Sequence, residues 1–212
     1  MYNLPEYKEK DQEKIRSFME ENPFILICGV TADSTPVATH IPVLIREDAA
    51  GNLQLFGHMM KGTDHYKAFL ENSSVLAIFS GAHTYVSASW YTNQQTGSTW
   101  NYMTVHARGR LTFLSKPELL QILKETTSHF ENDEQSPSLF EHLPNDYVEK
   151  LSKAIEGFRI DVTSMDHVFK LSQNRDEKSY ENIIAKLDNG DHQSKHIAME
   201  MKSRQQCPFP HE

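Results

Sequence analysis

The sequence predicts an α+β fold that is mainly β, built on a small barrel or barrel-like antiparallel sheet with peripheral helices. Between residues 24 and 114, short apolar stretches rich in β-branched residues follow one another and are separated by turn residues. One short helical pattern interrupts them, so strands that are neighbours in sequence are expected to pair antiparallel. A sheet that closes on itself removes its exposed edges, which makes a barrel the economical arrangement.

The first half of the chain predicts one surface helix followed by strands. Residues 11–21 place Ile15, Phe18 and Met19 on one helical face, and Pro23 ends the helix. The predicted strands span residues 24–32, 37–46, 53–57, 73–80, 83–87 and 99–114, with a short helix at 66–72. Gly81 is expected to separate two of these strands, and Gly109 to bend the last one.

The second half predicts helices and one further strand. Ser115 and Glu118 have the spacing of a capping box, which opens a helix. The later elements are expected as a helix at 145–155, a strand at 157–162 and a helix at 176–187. We therefore expect a single domain at residues 1–187 and a polar C-terminal tail, either mobile or docked on a partner, at residues 188–212.

Composition narrows the classes of function. The chain carries 29 acidic and 21 basic residues, a net charge of −8, and has no local basic patch, so direct DNA binding is doubtful. The longest apolar run, residues 24–30, is too short to span a membrane, and the N-terminus lacks the pattern of a signal peptide. Cys28 and Cys207 are not expected to form a disulfide, which fits a cytoplasmic location.

Three kinds of chemistry find little support. His192 and His196 stand four residues apart, with Cys207 and His211 beyond, and zinc accepts such spacing; solvated side chains in a polar tail are the favoured interpretation, so no metal site is predicted. A hydrolase is disfavoured because the chain has no GxSxG motif. A dinucleotide fold is disfavoured because it has no GxGxxG motif and no alternation of strand with helix.

Three polar places remain, and together they suit a flavin mononucleotide. Residues 39–42 put a threonine, a histidine and a proline in one strand, which indicates that something other than sheet pairing uses this backbone. The loop at 58–65 carries a glycine, a lysine, a hydroxyl and N–H groups at a helix start, which suits a phosphate; alternatively, Gly62 and Asp64 serve only the turn and the cap. The stretch 83–111 holds both tryptophans and many hydroxyl side chains, which could wall a ring.

Five motifs carry a family resemblance that covers the chain in order to about residue 187. They are Ala38–Pro42 (ATHIP), Gly57–Met59 followed by Lys61, Tyr85–Tyr91 (YVSASWY), Thr99–Tyr102 (TWNY) with Val105–His106 and Gly109–Leu111 beyond it, and Lys170–Arg175 (KLSQNR). Together they resemble the PaiB family, described as FMN-binding negative transcriptional regulators or as protease synthase and sporulation negative regulatory proteins of bacteria such as bacilli.

The resemblance implies an FMN-binding split barrel with peripheral helices and a helical C-terminal extension, assembled as a homodimer that binds FMN at the subunit interface. The cofactor-binding residues that it implies are Thr39, His40, Ile41, Pro42, His58, Met59, Lys61, Ser87, Ser89, Trp90, Trp100, Asn101, Tyr102, Gln173 and Asn174. Lys61 would hold the phosphate. Many relatives carry Arg-Ala-Asn-Pro where this chain reads Lys61–Asp64, and a lysine lacks the bidentate fork of arginine.

The function implied by the resemblance is negative regulation of extracellular protease synthesis and sporulation, by a protein without a recognisable DNA-binding motif. The alternative is a flavin-dependent oxidoreductase or haem-handling split-barrel enzyme, with His40 or His106 near the reactive ring edge and no catalytic residue identified. A third hypothesis is an interaction protein whose pocket is vestigial.

Overall fold

The computed structural model describes residues 1–204, which contain seven strands and six α-helices. In chain order these are α1 (Gln12–Glu21), β1 (Phe24–Val30), β2 (Pro36–Pro42), β3 (Leu44–Glu47), β4 (Leu53–Met60), α2 (Asp64–Glu71), β5 (Ser74–Val86), β6 (Thr99–Phe113), α3 (Lys116–Glu131), α4 (Asn145–Ala154), β7 (Ile155–Lys170), α5 (Glu177–Leu187) and α6 (His192–Ser203). None of the helices in this part of the chain has the length and apolar character that crossing a membrane requires.

The strands form one seven-stranded sheet in the order β2-β1-β5-β6-β7-β4-β3. β1 and β2 pair antiparallel along their full lengths, from Phe24 opposite Pro42 to Val30 opposite Pro36. β4 pairs antiparallel with β3 on one side and with the first part of β7 on the other. The two outermost strands, β2 and β3, are thus separated in the chain by Val43 alone, whose N–H donates to the Pro23 carbonyl at 2.9 Å.

The chain divides into two compact units that are interleaved in sequence. The first unit comprises residues 1–18, 80–105 and those from 166 onward, and the second unit comprises residues 19–79 and 106–165. β5, β6 and β7 each run through one of the division points, so the same strand contributes to both units.

The second unit has its own apolar core. The largest buried side chains within it include Ile25, Ile27, Phe69, Phe158 and Ile160. Gly57 allows close packing here, because a Cβ at this position would lie 2.7 Å from the Phe158 ring. Helix α3 covers the edge of this core with Leu119 and Leu123 against Ile155. The predicted capping box at its start is confirmed, with both Ser115 N–H and Ser115 Oγ donating to Glu118 Oε2, at 2.8 and 2.6 Å.

The first unit buries aromatic and aliphatic side chains from both ends of the chain. The rings of Phe18 and Phe169 lie 5.1 Å apart. Gly81 does not break a strand, contrary to the prediction: β5 continues through it, and a Cβ there would lie 2.5 Å from the Phe18 ring. The glycine is needed because the ring occupies the space beside the backbone.

The C-terminal region differs from the expected polar tail. Residues 192–203 form α6, whose N-cap Asp191 accepts a hydrogen bond from the Ser194 N–H at 2.8 Å. Ile197, Ala198 and Met201 are fully buried on this helix. These three apolar residues form one buried stripe on α6. They are too few among polar neighbours for the sequence pattern to predict the helix. Residues 205–212, which include Cys207 and His211, lie outside the described part of the chain.

Candidate functional site

Strand β2 places Thr39, His40, Ile41 and Pro42 at one edge of the sheet. Their backbone pairs with β1, so the prediction that something other than sheet pairing uses this segment is wrong for that side of the strand. Ile41 is a core residue, 5% exposed, while His40 is exposed and stacks on the Phe24 ring at 5.7 Å. The surface that β2 presents is therefore a flat aromatic pair beside a half-buried threonine.

The end of β4 holds His58, Met59 and Lys61 against β7. Met59 is buried and pairs opposite Glu156, and His58 pairs opposite Gly157. Burial lowers the pKa of His58, which favours its neutral imidazole. Lys61 Nζ lies 2.8 Å from Glu156 Oε2, and the hydrogen bond to this carboxylate raises the pKa of Lys61. The predicted phosphate cation is thus charged, exposed and already paired.

The loop after Lys61 uses its own oxygens to cap α2. Thr63 Oγ1 accepts from the Tyr66 N–H at 3.3 Å and donates to the Met60 carbonyl at 3.0 Å. Asp64 Oδ1 accepts from the His65 N–H at 2.7 Å. Gly62 has φ +80°, a left-handed conformation that glycine adopts without strain. The N–H groups of His65 and Tyr66 are therefore used by the turn and the cap, as the alternative interpretation of this loop expects.

Segments 39–42 and 57–61 approach each other within the second unit. A Cβ at Gly57 would lie 3.1 Å from the Pro42 carbonyl oxygen, so only a residue without a side chain fits between the two strands here. Two of the predicted motifs, ATHIP and GHM, are therefore neighbours in space as well as in the predicted site. Thr39 lies on β2, and Lys61 directly follows β4.

Residues 87–90 form a tight turn in the first unit. Ser87 Oγ accepts from the Ser89 N–H at 3.2 Å and bonds Ser89 Oγ at 2.8 Å, and Ala88–Trp90 form one 3-10 turn. The Trp90 carbonyl accepts from Asn182 Nδ2 at 3.1 Å. Ser87 thus shapes the turn, and Ser89 is the exposed hydroxyl that remains at its surface.

Trp100 belongs to an exposed aromatic cluster. It is 52% exposed, and its ring lies 5.7 Å from His83 and 6.1 Å from Tyr85. Tyr102, two residues along β6, is half-buried, and burial raises the pKa of its phenol. An exposed flat surface of this kind suits contact with a planar ring.

Two predicted ligand-binding amides have structural partners instead. Asn101 is fully buried, with Oδ1 accepting from Ser172 Oγ at 2.9 Å and Nδ2 lying 3.6 Å from Met201 Sδ. Gln173 accepts from the Leu171 N–H at 2.6 Å and donates to the Phe169 carbonyl at 2.5 Å. Because both ends of each amide are engaged, we remove Asn101 and Gln173 from the candidate site. Asn174 is exposed and stays in it.

Sequence reasoning missed two cations at the ends of the KLSQNR motif. Lys170 Nζ donates to Thr99 Oγ1 and to the Trp100 carbonyl. Arg175 places its guanidinium carbon 4.2 Å from the centre of the Tyr91 ring. Their charges at either end of the motif were visible in the sequence, but no pattern indicated that they share one environment.

A groove of about 330 Å³ in the second unit was also not predicted. It is lined by Glu20, Pro23, Val43, Leu44, Ile45, Arg46, Glu125 and His129. Arg46 pairs with Glu125 and lies over the Phe56 ring at 4.6 Å. None of the candidate FMN residues lines this groove.

The chain belongs to a family of FMN-binding domains. Residues 1–164 match the family described as "Putative FMN-binding domain". FMN is the cofactor that defines this family, so the match supports FMN as the cofactor of this chain.

Curated relatives cover nearly all of the chain. It is 34% identical over 189 residues to the "Protease synthase and sporulation protein PAI 2" of Bacillus subtilis, an alignment that covers 89% of this chain and 90% of that protein. It is 28% identical over 228 residues to an uncharacterised protein of Emericella nidulans, which covers 89% of this chain and 91% of the relative. The family resemblance predicted from the motifs is confirmed.

Solved structures share the fold at low sequence identity. A conserved hypothetical protein from Mycobacterium tuberculosis has a TM-score of 0.57 at 10% identity, over 80% of this chain and 90% of that chain. The FAD and heme binding protein from Mycobacterium smegmatis has a TM-score of 0.54 at 15% identity, over 76% and 72%. The flavocytochrome Anf3 from Azotobacter vinelandii has a TM-score of 0.54 at 18% identity, over 82% and 74%. The predicted α+β, mainly β split-barrel class is confirmed.

The exposed donor groups are of the kinds that FMN requires. Lys61 offers a cation whose present partner, Glu156, is a side chain that a phosphate could replace. His40 and Trp100 offer exposed flat surfaces for the ring system. The residues present therefore fit this cofactor in chemistry, with Lys61 as a monodentate contact.

Proposed function

We propose that this protein binds FMN as a homodimer, with the cofactor at the subunit interface, and acts as a negative regulator of extracellular protease synthesis and sporulation. The observation that carries this proposal is the 34% identity to the Bacillus subtilis sporulation protein across about nine-tenths of both chains. The relative's name supplies the link to protease synthesis and sporulation, the motif resemblance supplies negative regulation, and the family supplies the cofactor.

In this proposal the chain's own residues divide the work of holding FMN. Lys61 releases Glu156 and binds the phosphate, while the segment from Thr39 to Pro42 contacts the flavin ring. The remaining candidates line the pocket from one subunit or the other; they are His58, Met59, Ser87, Ser89, Trp90, Trp100, Tyr102 and Asn174. When bound, FMN supplies a ring that can take up and release electrons.

Regulation through a partner protein fits the charge better than direct operator binding. A net charge of −8 gives no general attraction to phosphates, so a DNA-binding surface would have to overcome repulsion. We therefore expect no shift of promoter DNA in a gel at low salt. A salt-dependent shift by the purified protein would contradict this part of the proposal.

The FMN proposal is tested on the purified full-length protein. Flavin absorption, followed by titration of FMN and of riboflavin, measures the affinity for cofactor with and without phosphate. We expect Lys61→Ala to weaken FMN binding about tenfold and to leave riboflavin binding unchanged, because one charge-assisted contact is lost. Glu156→Gln should act in the opposite direction, since it frees Lys61.

One control variant and one measurement of oligomeric state accompany this test. Lys67→Ala removes an exposed lysine from α2 and serves as the matched control, with no expected effect on FMN. Equal FMN affinity in Lys61→Ala and Lys67→Ala would remove the phosphate role from Lys61. Sedimentation of FMN-loaded protein tests the dimer, and a monomer that keeps its flavin would contradict the interface site.

The alternative function is flavin-dependent oxidoreduction or haem handling. It is favoured by the fold shared with a flavocytochrome and by the exposed, stacked position of His40. Bleaching of bound flavin by NAD(P)H, followed by reoxidation with turnover of a second substrate, would favour this alternative. Flavin that stays oxidised under these conditions would favour the regulatory proposal.

A further inference from the structure

Lys170 is a half-buried cation whose two hydrogen-bond acceptors are both neutral. It ends β7, and its ammonium donates to Thr99 Oγ1 and, at 3.1 Å, to the Trp100 carbonyl. It also lies 5.8 Å from the centre of the Tyr2 ring. Burial lowers the pKa of Lys170, and the nearby charge of Arg175 lowers it further. Both effects mean that its charge is costly where it stands.

Arg175 adds a second cation to the same environment. Its guanidinium lies over the Tyr91 ring, and its charge acts on both Lys170 and Tyr7. Within residues 1–204, neither Lys170 nor Arg175 forms an ion pair with a carboxylate. The neighbouring Asp176 is engaged by the Ser179 N–H and hydroxyl and by the Thr92 hydroxyl.

A tyrosine ring lies beside each of the two cations, Tyr2 beside Lys170 and Tyr91 beside Arg175. Tyr7 is 4% exposed, its ring meets Tyr2 edge-on at 6.1 Å, and burial raises the pKa of its phenol. Tyr91 is also 4% exposed, and its buried hydroxyl has no hydrogen-bond partner in the described part of the chain. Such a group costs free energy unless a ligand or water completes it.

Two partly dehydrated cations at the ends of one short loop, neither paired with a carboxylate in the described part of the chain, form an unfavourable arrangement in the free protein. An oxyanion with two negative charges would reverse this, because it offers both charge neutralisation and acceptor oxygens to the ammonium, the guanidinium and phenolic hydroxyls. A phosphate ester has this charge and this number of acceptors.

We propose that Lys170, Arg175 and the tyrosines around them form a binding site for the phosphate group of a small molecule. The phosphate belongs to a phosphorylated ligand other than FMN. The site differs in charge from Lys61, which Glu156 already neutralises. It does not depend on the FMN role proposed for Lys61.

Two purely structural explanations make different predictions. Lys170 could serve only to join β7 to Thr99 and Trp100, in which case Arg175 would have no part in anion binding. Glu6, whose charge acts on Tyr7, could neutralise the pair from nearby. Under that explanation Glu6→Gln would lower stability and leave phosphate binding unchanged, whereas the proposed site predicts stronger phosphate binding in Glu6→Gln.

The experiment is calorimetric titration of inorganic phosphate into the full-length protein, with and without saturating FMN, at constant ionic strength set by chloride. Arg175→Gln and Lys170→Met should each weaken phosphate binding about tenfold, since each removes one charge-assisted contact. Lys178→Met is the matched control, because Lys178 is an exposed lysine that pairs with Glu181 on α5. If Lys170→Met fails to fold, phosphate binding by Arg175→Gln alone tests the proposal.

The two FMN conditions distinguish a separate phosphorylated ligand from the cofactor itself. Binding to FMN-saturated protein that depends on Arg175 identifies a second phosphorylated ligand. Phosphate binding to FMN-free protein alone, with Arg175→Gln weakening FMN but not riboflavin, would mean that the cofactor's own phosphate occupies the site, and it would overturn the proposal. The proposal is overturned if phosphate binds neither form, or binds Arg175→Gln as tightly as Lys178→Met. A protein that binds no FMN at all would fail the proposed function and still report on this site.

Discussion

Lys61 and Lys170 each follow or end a long strand, yet their surroundings differ in every respect that matters for binding an anion. The Lys61 side chain is 38% exposed, and Glu156 holds its ammonium at 2.8 Å. Lys170 is half-buried, and within residues 1–204 its ammonium meets only a hydroxyl, a carbonyl and an aromatic ring. The first lysine has its pKa raised by a carboxylate, and the second has its pKa lowered by burial and by Arg175.

The difference shows that residue type alone does not decide which cation is available to a ligand. A surface pair such as Lys61–Glu156 contributes little stability, and a phosphate must compete with the carboxylate to bind. Lys170 has no such competitor within the described chain, and its unfavourable charge is relieved when an anion arrives. The two sites are therefore expected to respond differently to the loss of their supporting groups.

The supporting loops differ as well. The loop at Lys61 closes through local bonds from Thr63 and Asp64, within three residues of each other. The loop at 170–175 is fixed by Gln173 and by the buried contact of Ser172 with Asn101, while Ser172 itself has φ +61°. A non-glycine residue in the left-handed region costs about 1–3 kcal/mol and persists only when its surroundings hold it there.

The largest expected effect comes from Asn101, whose loss removes the support of the 170–175 loop. Asn101→Ala should lower the free energy of unfolding by about 2–4 kcal/mol, because it leaves a cavity and deprives the buried Ser172 hydroxyl of its acceptor. Urea denaturation measures this. Asn182→Ala is the matched control, since Asn182 is partly exposed and makes one bond to the Trp90 carbonyl; its expected cost is below about 1.5 kcal/mol. Equal costs in the two variants would contradict a buried structural role for Asn101.

A smaller effect is expected at the Lys61 loop, where the bonds are local. Thr63→Ala removes the N-cap of α2 and should cost about 1 kcal/mol of stability. Thr63→Ser keeps the hydroxyl and should recover most of this loss in the same denaturation experiment. If Thr63→Ala were neutral, the N–H groups of α2 would not depend on this cap and would be open to a phosphate after all.

The smallest effect is the dependence of stability on pH, and it should have opposite signs for the two lysines. The folded-state pKa of Lys61 is raised, so its contribution is present below the unfolded value of 10.5 and is lost as the pH rises through the folded pKa. The folded-state pKa of Lys170 is lowered, so between that pKa and 10.5 the unfolded chain binds more protons, and stability rises with pH.

Proton-detected titration of isotopically labelled lysine side chains checks this contrast directly. Lys61→Met and Lys170→Met assign the two resonances, and each variant should remove only its own slope from the pH profile of stability. If the pKa of Lys170 were as high as that of Lys61, burial would not dominate the environment of Lys170.

Much of the fold was available from the sequence. Hydrophobic periodicity predicted α1 and the first strands, and the spacing of Ser115 and Glu118 predicted the start of α3. The strand boundaries were less accessible: β5 runs through Gly81, and β7 extends to Lys170 rather than ending near residue 162. These outcomes depend on which side chain fills the space beside a backbone, as Phe18 does at Gly81.

The candidate site was predictable in its motifs but not in the state of its side chains. Asn101 and Gln173 look in sequence like groups presented to a ligand, yet their amides are used inside the protein. Asn101 and Ser172 are separated by 71 positions, so no local pattern could indicate their bond. Tyr91 and Arg175 come together from distant segments in the same way.

By itself, the sequence determined the class of the fold, the family and the positions of the caps, because periodicity, capping boxes and motifs are properties of neighbouring residues. The tertiary structure alone decided which polar groups remain available. Glu156 neutralises Lys61, and burial makes the charge of Lys170 unfavourable. Both the ion pair and the burial are produced by residues that lie far apart in the chain. Electrostatic free energy depends on distance and solvent in three dimensions, and a linear pattern contains neither.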